Sequence, residues 1–183
     1  MIPDILQVDM STDEASLDKA SKIIMWPIQI RIVNIPKSAP EIVGIFKGEK
    51  KPTDATLFFQ LVVDDFNRIS ETGIDFQGKT KFLKFRCFIA DTPARSFSLG
   101  HCGYNSKAPC SRCWVRGEFI RPGVMVYRGF DHARRTQDEY LLQVDTDHQQ
   151  NSSYKYLLIE HQMLRALNFF HRTPMFCYIL LRL

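Results

Sequence analysis

Phe82-Leu-Lys-Phe-Arg-Cys-Phe-Ile89, continued by Ala90-Asp91-Thr92-Pro93, is the stretch on which the reading of the fold turns. Phe82, Leu83, Phe85, Cys87, Phe88 and Ile89 predict a mostly buried strand, because apolar residues occupy nearly every position rather than alternate ones. The strand ends at Asp91, and Pro93 suits the first turn of a following helix, where its fixed φ is already helical and its missing N–H costs nothing. Just upstream, Leu57, Phe58, Leu61, Val62, Phe66 and Ile69 recur at spacings of three and four. That is a helical stripe, which Thr53 or Asp54 can cap and Gly73 can stop.

Further upstream the period changes to two. Trp26 to Asn34 sets Ile28, Ile30 and Ile32 against Gln29, Arg31 and Val33, hence a strand. Pro36-Lys-Ser-Ala-Pro40 reads as a turn, and Glu41 to Lys47 as a second β-rich run ended by Gly48, so the two predict an antiparallel pair. Ile5 to Met10 adds a short apolar run at the start. The predicted order is strand, strand, strand, helix, strand, helix, in an α/β chain. An RNase H-like core begins in this order and carries carboxylates at the ends of its first and fourth strands. Asp13 and Asp91 stand near those two places. Paired carboxylates there suit a two-metal site acting on a phosphodiester, although an Asp at a strand end equally serves as a turn-former or helix cap.

The 183 residues leave room for one domain and little more, at roughly 150 residues per domain. With 45% apolar and 24% charged residues the chain can bury a core, which excludes a mainly disordered protein. Twenty-four Lys and Arg against 20 Asp and Glu give a formal charge of +4, which permits a nucleic-acid partner without requiring one. No run approaches the eighteen or so apolar residues of a membrane-spanning helix. Met1 to Asp13 lacks the features of a signal peptide. The expectation is therefore a nuclear or cytoplasmic protein that is not secreted and has no membrane partner. In that setting the five cysteines read as thiols or metal ligands rather than a disulfide framework.

From Gly100 to Gly123 the periodic pattern gives way to glycines, Pro109, Pro122, aromatics and Cys110-Ser-Arg-Cys113. This reads as a loop-rich insertion. The two-residue spacing lets both thiolates bind one tetrahedral Zn²⁺, and nothing around it has the strand-then-helix setting of a redox pair. One such pair is half a site. His101, Cys102, His132, His148 and His161 are all candidates for the rest, and spacing singles out none. Arg112, Arg116, Arg121, Arg128, Arg134 and Arg135, interleaved with Trp114, Phe119, Tyr127 and Phe130, suit phosphate contacts with base stacking. They read equally well as a solvated loop around a small aromatic core. Tyr154 to Phe170 returns to helical spacing. The expected division is 1–99 as a half-domain of the RNase H-like core, 100–150 as the zinc-binding insertion, and 151–183 as a C-terminal helix and divergent tail.

Several motifs stand in an order that is informative. Trp26-Pro27-Ile28-Gln29, Pro36-Lys37 and Val43-Gly44-Ile45-Phe46-Lys47-Gly48 precede Phe88-Ile-Ala-Asp91-Thr-Pro-Ala-Arg95. Gly100-His-Cys-Gly-Tyr104, Cys110-Ser-Arg-Cys113-Trp-Val-Arg-Gly-Glu118, Arg135-Thr-Gln-Asp138-Glu139-Tyr140 and Asp145-Thr-Asp147-His148 follow. Over about residues 8 to 150 the chain resembles the catalytic core of CACTA (En/Spm-type) DDE transposases and their animal relatives. The resemblance implies that Asp91 is the second catalytic carboxylate and Asp13 the first, with Asp9 as the fallback, and that Asp13 and Asp91 hold catalytic Mg²⁺ or Mn²⁺. It implies a structural Zn²⁺ on Cys110 and Cys113, nucleic-acid contacts from Arg95, Arg112 and Arg116, and DNA as the ancestral partner, and it is compatible with an oligomer. Glu14 replaces the family's Gly and Ala20 one of its serines. The Ser-Pro-Leu and Asp-x-Met-His-Leu segments, beyond which the third carboxylate lies, do not follow Gln150, and Glu160 is outside the family's motif. The expectation is a truncated, transposon-derived fragment, inactive alone, whose ancestor cleaved DNA and transferred strands. The alternative is a domesticated zinc-binding module that contacts nucleic acid or protein without catalysis.

Overall fold

The computed structural model describes residues 2–17 and 23–149. The helix expected over Tyr154 to Phe170, the rest of 151–183, Glu160 and His161 lie outside the described residues. In chain order come β1 (Ile5–Thr12), β2 (Ala15–Ser16), β3 (Ile24–Ile32), β4 (Glu41–Gly48), α1 (Ala55–Thr72), β5 (Ile74–Phe76), β6 (Lys79–Ile89) and α2 (Thr92–Ser98). The expected alternation of strands and helices is present, with β2 and β5 as short additions. The architecture is mixed α/β.

One six-stranded mixed sheet organises the molecule. β3 pairs antiparallel with β1 and β2 along one edge and with β4 along the other, so the antiparallel pair expected from the Trp26 and Glu41 runs is formed. β1 pairs with β6 in parallel, and β5 makes a hairpin with β6. β1 and β2 follow one continuous register along β3, interrupted only at Asp13 and Glu14, where the facing residue includes Pro27. Proline has no N–H to donate to the ladder. Thr12 instead donates its hydroxyl to the Pro27 carbonyl at 2.8 Å, and the strand breaks there.

α1 begins at Asp54, whose carboxylate accepts the N–H groups of Thr56 and Leu57 at 2.8 and 3.1 Å, and ends at Gly73 with φ 74°. Its buried stripe is Ala55, Phe59, Val63 and Phe66, not one that includes Leu57 and Leu61, which are 70% and 81% exposed. Two apolar stripes lie side by side on this helix, and the sheet selects one of them. That stripe packs on Val8, Met10, Ile28, Phe85 and Phe88. Phe85 and Phe88 are three apart, so strict alternation would send them to opposite faces. A bulge resolves this, because Val8 pairs with Phe85 and Asp9 with Cys87, leaving Arg86 unopposed.

Trp26, Ile24 and Ala94 form a second buried cluster with Phe46, Phe58 and Phe97, and the Trp26 and Phe97 rings meet edge to face at 5.2 Å. This cluster seats α2 against β3 and α1. Beyond α2 the expectation of a segment without periodic structure needs correcting. β7 (Gly117–Arg121) and β8 (Val124–Tyr127) pair as a hairpin, and α3 (Gln137–Leu141) follows with a capping box between Thr136 and Glu139. Residues of both strands are half-buried or exposed, so no contrast of wet and dry positions marked them in the sequence. No helix among the described residues is long and apolar enough to cross a membrane.

Candidate functional site

The last paired couple of the parallel strands is Ser11 and Ile89. Asp13 and Asp91 each lie two residues further, so the topology brings both to the same end of adjacent strands. Pro27 ends the first strand and Pro93 starts the helix after the second, which is why the two chains turn away at this level. Both side chains are exposed. Asp13 accepts the Glu14 N–H at 2.7 Å, and Asp91 caps α2 by accepting the Ala94 N–H at 2.7 Å. Each carboxylate still has a second oxygen, and hard oxygen donors of this kind fit Mg²⁺ or Mn²⁺. Among the described residues, however, no three His, Cys, Asp or Glu side chains form a ligand group. Asp9 stands elsewhere. It is buried, four residues back along β1, and receives both Nε and Nη2 of the bulged Arg86.

Arg95 connects this end of the sheet to the cysteine loop. It is half-buried and donates to the Ala90 carbonyl at 3.1 Å. Burial, and then the charge of Arg112, lower its pKa, while Asp91 and Cys110 act in the opposite direction. Arg95 therefore feels the charges of Asp91, Arg112 and Cys110 across the boundary between α2 and the cysteine loop.

Cys110 and Cys113 are half-buried thiols, and no disulfide involves them. A hydrogen bond with Cys113, backed by the N–H groups of Arg112 and Cys113 and the charge of Arg135, takes the Cys110 thiol down to about 6 against the effect of burial. The Arg112 N–H lies 3.4 Å from the Cys110 sulfur. A thiol that ionises this readily suits the thiolate that Zn²⁺ requires. Cys102 is occupied otherwise, with its sulfur 3.0 Å from the Ala108 carbonyl and 2.6 Å from the Ser106 hydroxyl. His132 is bonded to the Arg128 carbonyl at 2.8 Å.

The arginines of this segment do not all point outward. Asp145 is buried and accepts from Arg116 at 2.9 Å and from Arg135 at 2.5 Å. Arg135 also donates to the carbonyls of Cys110 and Cys113, at 2.9 and 3.2 Å, and stacks on Trp114 at 4.5 Å. Burial alone would raise the Asp145 carboxyl, but the two guanidiniums overcome it and hold the group below its ordinary value. Arg135 and Asp145 thus strap the cysteine loop to the turn that carries His148. Arg135 and Asp145 each open a stretch that carries the resemblance, but nothing in the sequence pairs them, because they meet only across the fold. Of the three arginines expected at nucleic acid, Arg95 and Arg116 are tied into the structure, and Arg112 forms no ion pair among the described residues. Comparison of the chain with models of known protein families and with curated proteins finds no match.

Proposed function

We propose that this chain is a transposon-derived relative of CACTA-type DDE transposases, built on an RNase H-like frame, whose ancestor used Asp13 and Asp91 to hold the divalent ions of DNA cleavage and strand transfer. One observation carries the reading: the two carboxylates lie at equal distance past the last paired couple of adjacent parallel strands. The sheet order β4-β3-β1-β6, with β1 parallel to β6 and antiparallel to β3, also agrees with an RNase H-like core. When bound, the ions would activate water and stabilise the oxygens that attack and leave phosphorus. Asp13 and Asp91 would supply oxygen ligands, and Arg95 would hold the α2 terminus that positions Asp91. Among the described residues no third carboxylate joins them, and two are too few to fix two ions, so the proposed state of these residues alone is inactive. With Mn²⁺ and supercoiled plasmid, the purified chain is expected to give no nicking above a metal-free control. Cleavage that disappears in Asp91→Ala would show that the chain is a working nuclease.

A second reading, a zinc-supported interaction module without catalysis, is favoured by the use of Asp91 as a helix cap and of Arg116 and Arg135 as structural ties. Under it, Cys110→Ser and Cys113→Ser lower thermal stability by several degrees in zinc-loaded protein, while Asp13→Ala leaves partner binding and stability unchanged. Loss of binding in Asp13→Ala would count against the module.

A further inference from the structure

Two histidines lie buried where the chain that leaves α2 meets the turn at Asp145. His101 is 7% exposed, and His148 is fully buried. Their rings stack with centroids 4.6 Å apart and planes 17° from parallel. The His101 Nδ1 sits 2.8 Å from the Cys102 carbonyl, and the His148 Nδ1 sits 2.6 Å from the Ala108 carbonyl. A carbonyl oxygen only accepts, so both Nδ1 atoms carry the proton and each lone pair is on Nε2. Neither Nε2 has a hydrogen-bond partner among the described residues. Rings held nearly parallel do not aim two in-plane lone pairs at one ion, so the stack is no chelate.

The surroundings resist a proton on either ring. Burial acts first and holds both below the ordinary histidine value, His101 down to about 4. Around His101 the Cys102 carbonyl favours the charged ring, whereas His148, Arg95 and Arg135 oppose it. Around His148 the Ala108 carbonyl and Asp145 favour it, whereas Arg135 and Arg116 oppose it. Asp145 is already committed to those two guanidiniums. The Cys102 sulfur, 4.0 Å from the His148 Nδ1, and the Tyr140 ring, edge-on at 6.2 Å, complete the surroundings.

The stack also closes a seam between two stretches of chain. The Cys102 N–H donates to the His148 carbonyl at 2.7 Å, and the His148 N–H to the Asp145 carbonyl at 3.1 Å. His101 and Gln149 form an antiparallel bridge, and the Tyr140 hydroxyl donates to the Leu99 carbonyl. A charge on either ring would be buried beside a second imidazole with no anion of its own, and water reaches it only when the seam parts. We propose that the stack of His101 and His148 is a pH-sensitive latch, in which protonation of the rings releases residues 99–116 from the turn at 145–149 while the six-stranded sheet stays folded. These two are the only buried histidines among the described residues, so a pH change through the histidine range acts at the seam and not in the sheet. Both rings bind a proton more weakly folded than unfolded. The latch therefore contributes fully above the ordinary value of 6.5 and loses its hold as pH falls from there towards about 4.

Hydrogen exchange of the full chain, kept metal-free with a chelator and corrected for the intrinsic pH dependence of exchange, tests this. Between pH 6 and pH 5 the opening constant for the His101, Cys102 and His148 amides is expected to rise at least about tenfold, because the open seam binds up to two more protons. Amides of β1 and β6 are expected to keep theirs. His101→Asn and His148→Asn retain an N–H donor in place of Nδ1 and cannot take the charge, so each is expected to remove about half of the dependence on a logarithmic scale. Unchanged protection at the seam, an equal loss across the sheet, or full pH dependence in both variants would overturn the proposal. If the variants do not fold, imidazole NMR of the unaltered chain decides. Both rings are expected to stay neutral with the proton on Nδ1 while the seam is closed, and titration of either ring near 6.5 with the seam amides still protected would overturn the latch.

Discussion

Asp145 illustrates how much one side chain can carry when it leaves water. Its side chain and that of Arg135 are 4% and 5% exposed, so neither charge is solvated and each depends on the other. Removing one member of such a pair strands the remaining charge, at a cost of about 3 kcal/mol. Asp145→Ala is expected to lose that much in urea denaturation and to loosen the cysteine loop with it. The folded protein lowers the Asp145 pKa, so its contribution is present above the unfolded carboxyl value of about 4 and is lost as pH falls through the lower folded value. A denaturation midpoint that is flat across this window, or an Asp145→Ala variant as stable as the parent, would refute the role given to the strap. Nothing local in Val144-Asp145-Thr146 announces this burial, since the arginines that pay its desolvation stand 10 and 29 residues away.

At the level of elements, the short-range signals were legible. Asp54 and Asp91 cap their helices, Gly73 stops α1, and Pro93 enters the first turn of α2, because capping and φ restriction act over three or four residues. The β5 strand of the hairpin with β6 is not legible in the sequence, because Ile74-Asp75-Phe76 is only three residues long and, although it alternates in type, no face of it is buried. Its two glycines offer a test. Gly73 and Gly78 both have positive φ, at 74° and 72°. A Cβ on Gly78 meets nothing within 4 Å, whereas one on Gly73 collides with Thr80 and lies 3.1 Å from Phe82. Gly78→Ala is expected to cost about 1 kcal/mol from backbone strain alone. Gly73→Ala should cost about 2 kcal/mol or more, since its extended ψ of 174° falls where only glycine sits comfortably. Equal denaturation midpoints for the two variants would contradict this account of the junction.

For the whole molecule, a charge of +4 is too small to make nucleic-acid binding a consequence of composition, so binding must come from where particular arginines lie. Arg95 and Arg116 are engaged with Ala90 and Asp145, while Arg112 enters no ion pair among the described residues. Arg112→Ala is expected to weaken duplex DNA binding and to lower the slope of log affinity against log salt by about one contact. Arg95→Ala and Arg116→Ala should instead reduce stability at an unchanged slope. Titrations of fluorescent duplex at several salt concentrations would separate these outcomes, and an unaltered slope in Arg112→Ala would remove it from the interface.

The sequence by itself determined the order of the long strands and helices as far as α2, the caps and stops, and the candidates for chemistry: Asp13, Asp91, Cys110 and Cys113. These depend on periodicity and on neighbours a few positions apart. Tertiary structure alone decided that Asp13 and Asp91 stand level across a parallel pair, that the Arg86 bulge turns Phe88 onto the same core as Phe85, and which apolar stripe of α1 is buried. It also brought His101 onto His148 and Asp145 between two arginines. Those pairings join residues far apart in the chain, and what selects them is the shared cost of leaving a buried face, charge or lone pair without a partner, which no single stretch of sequence carries.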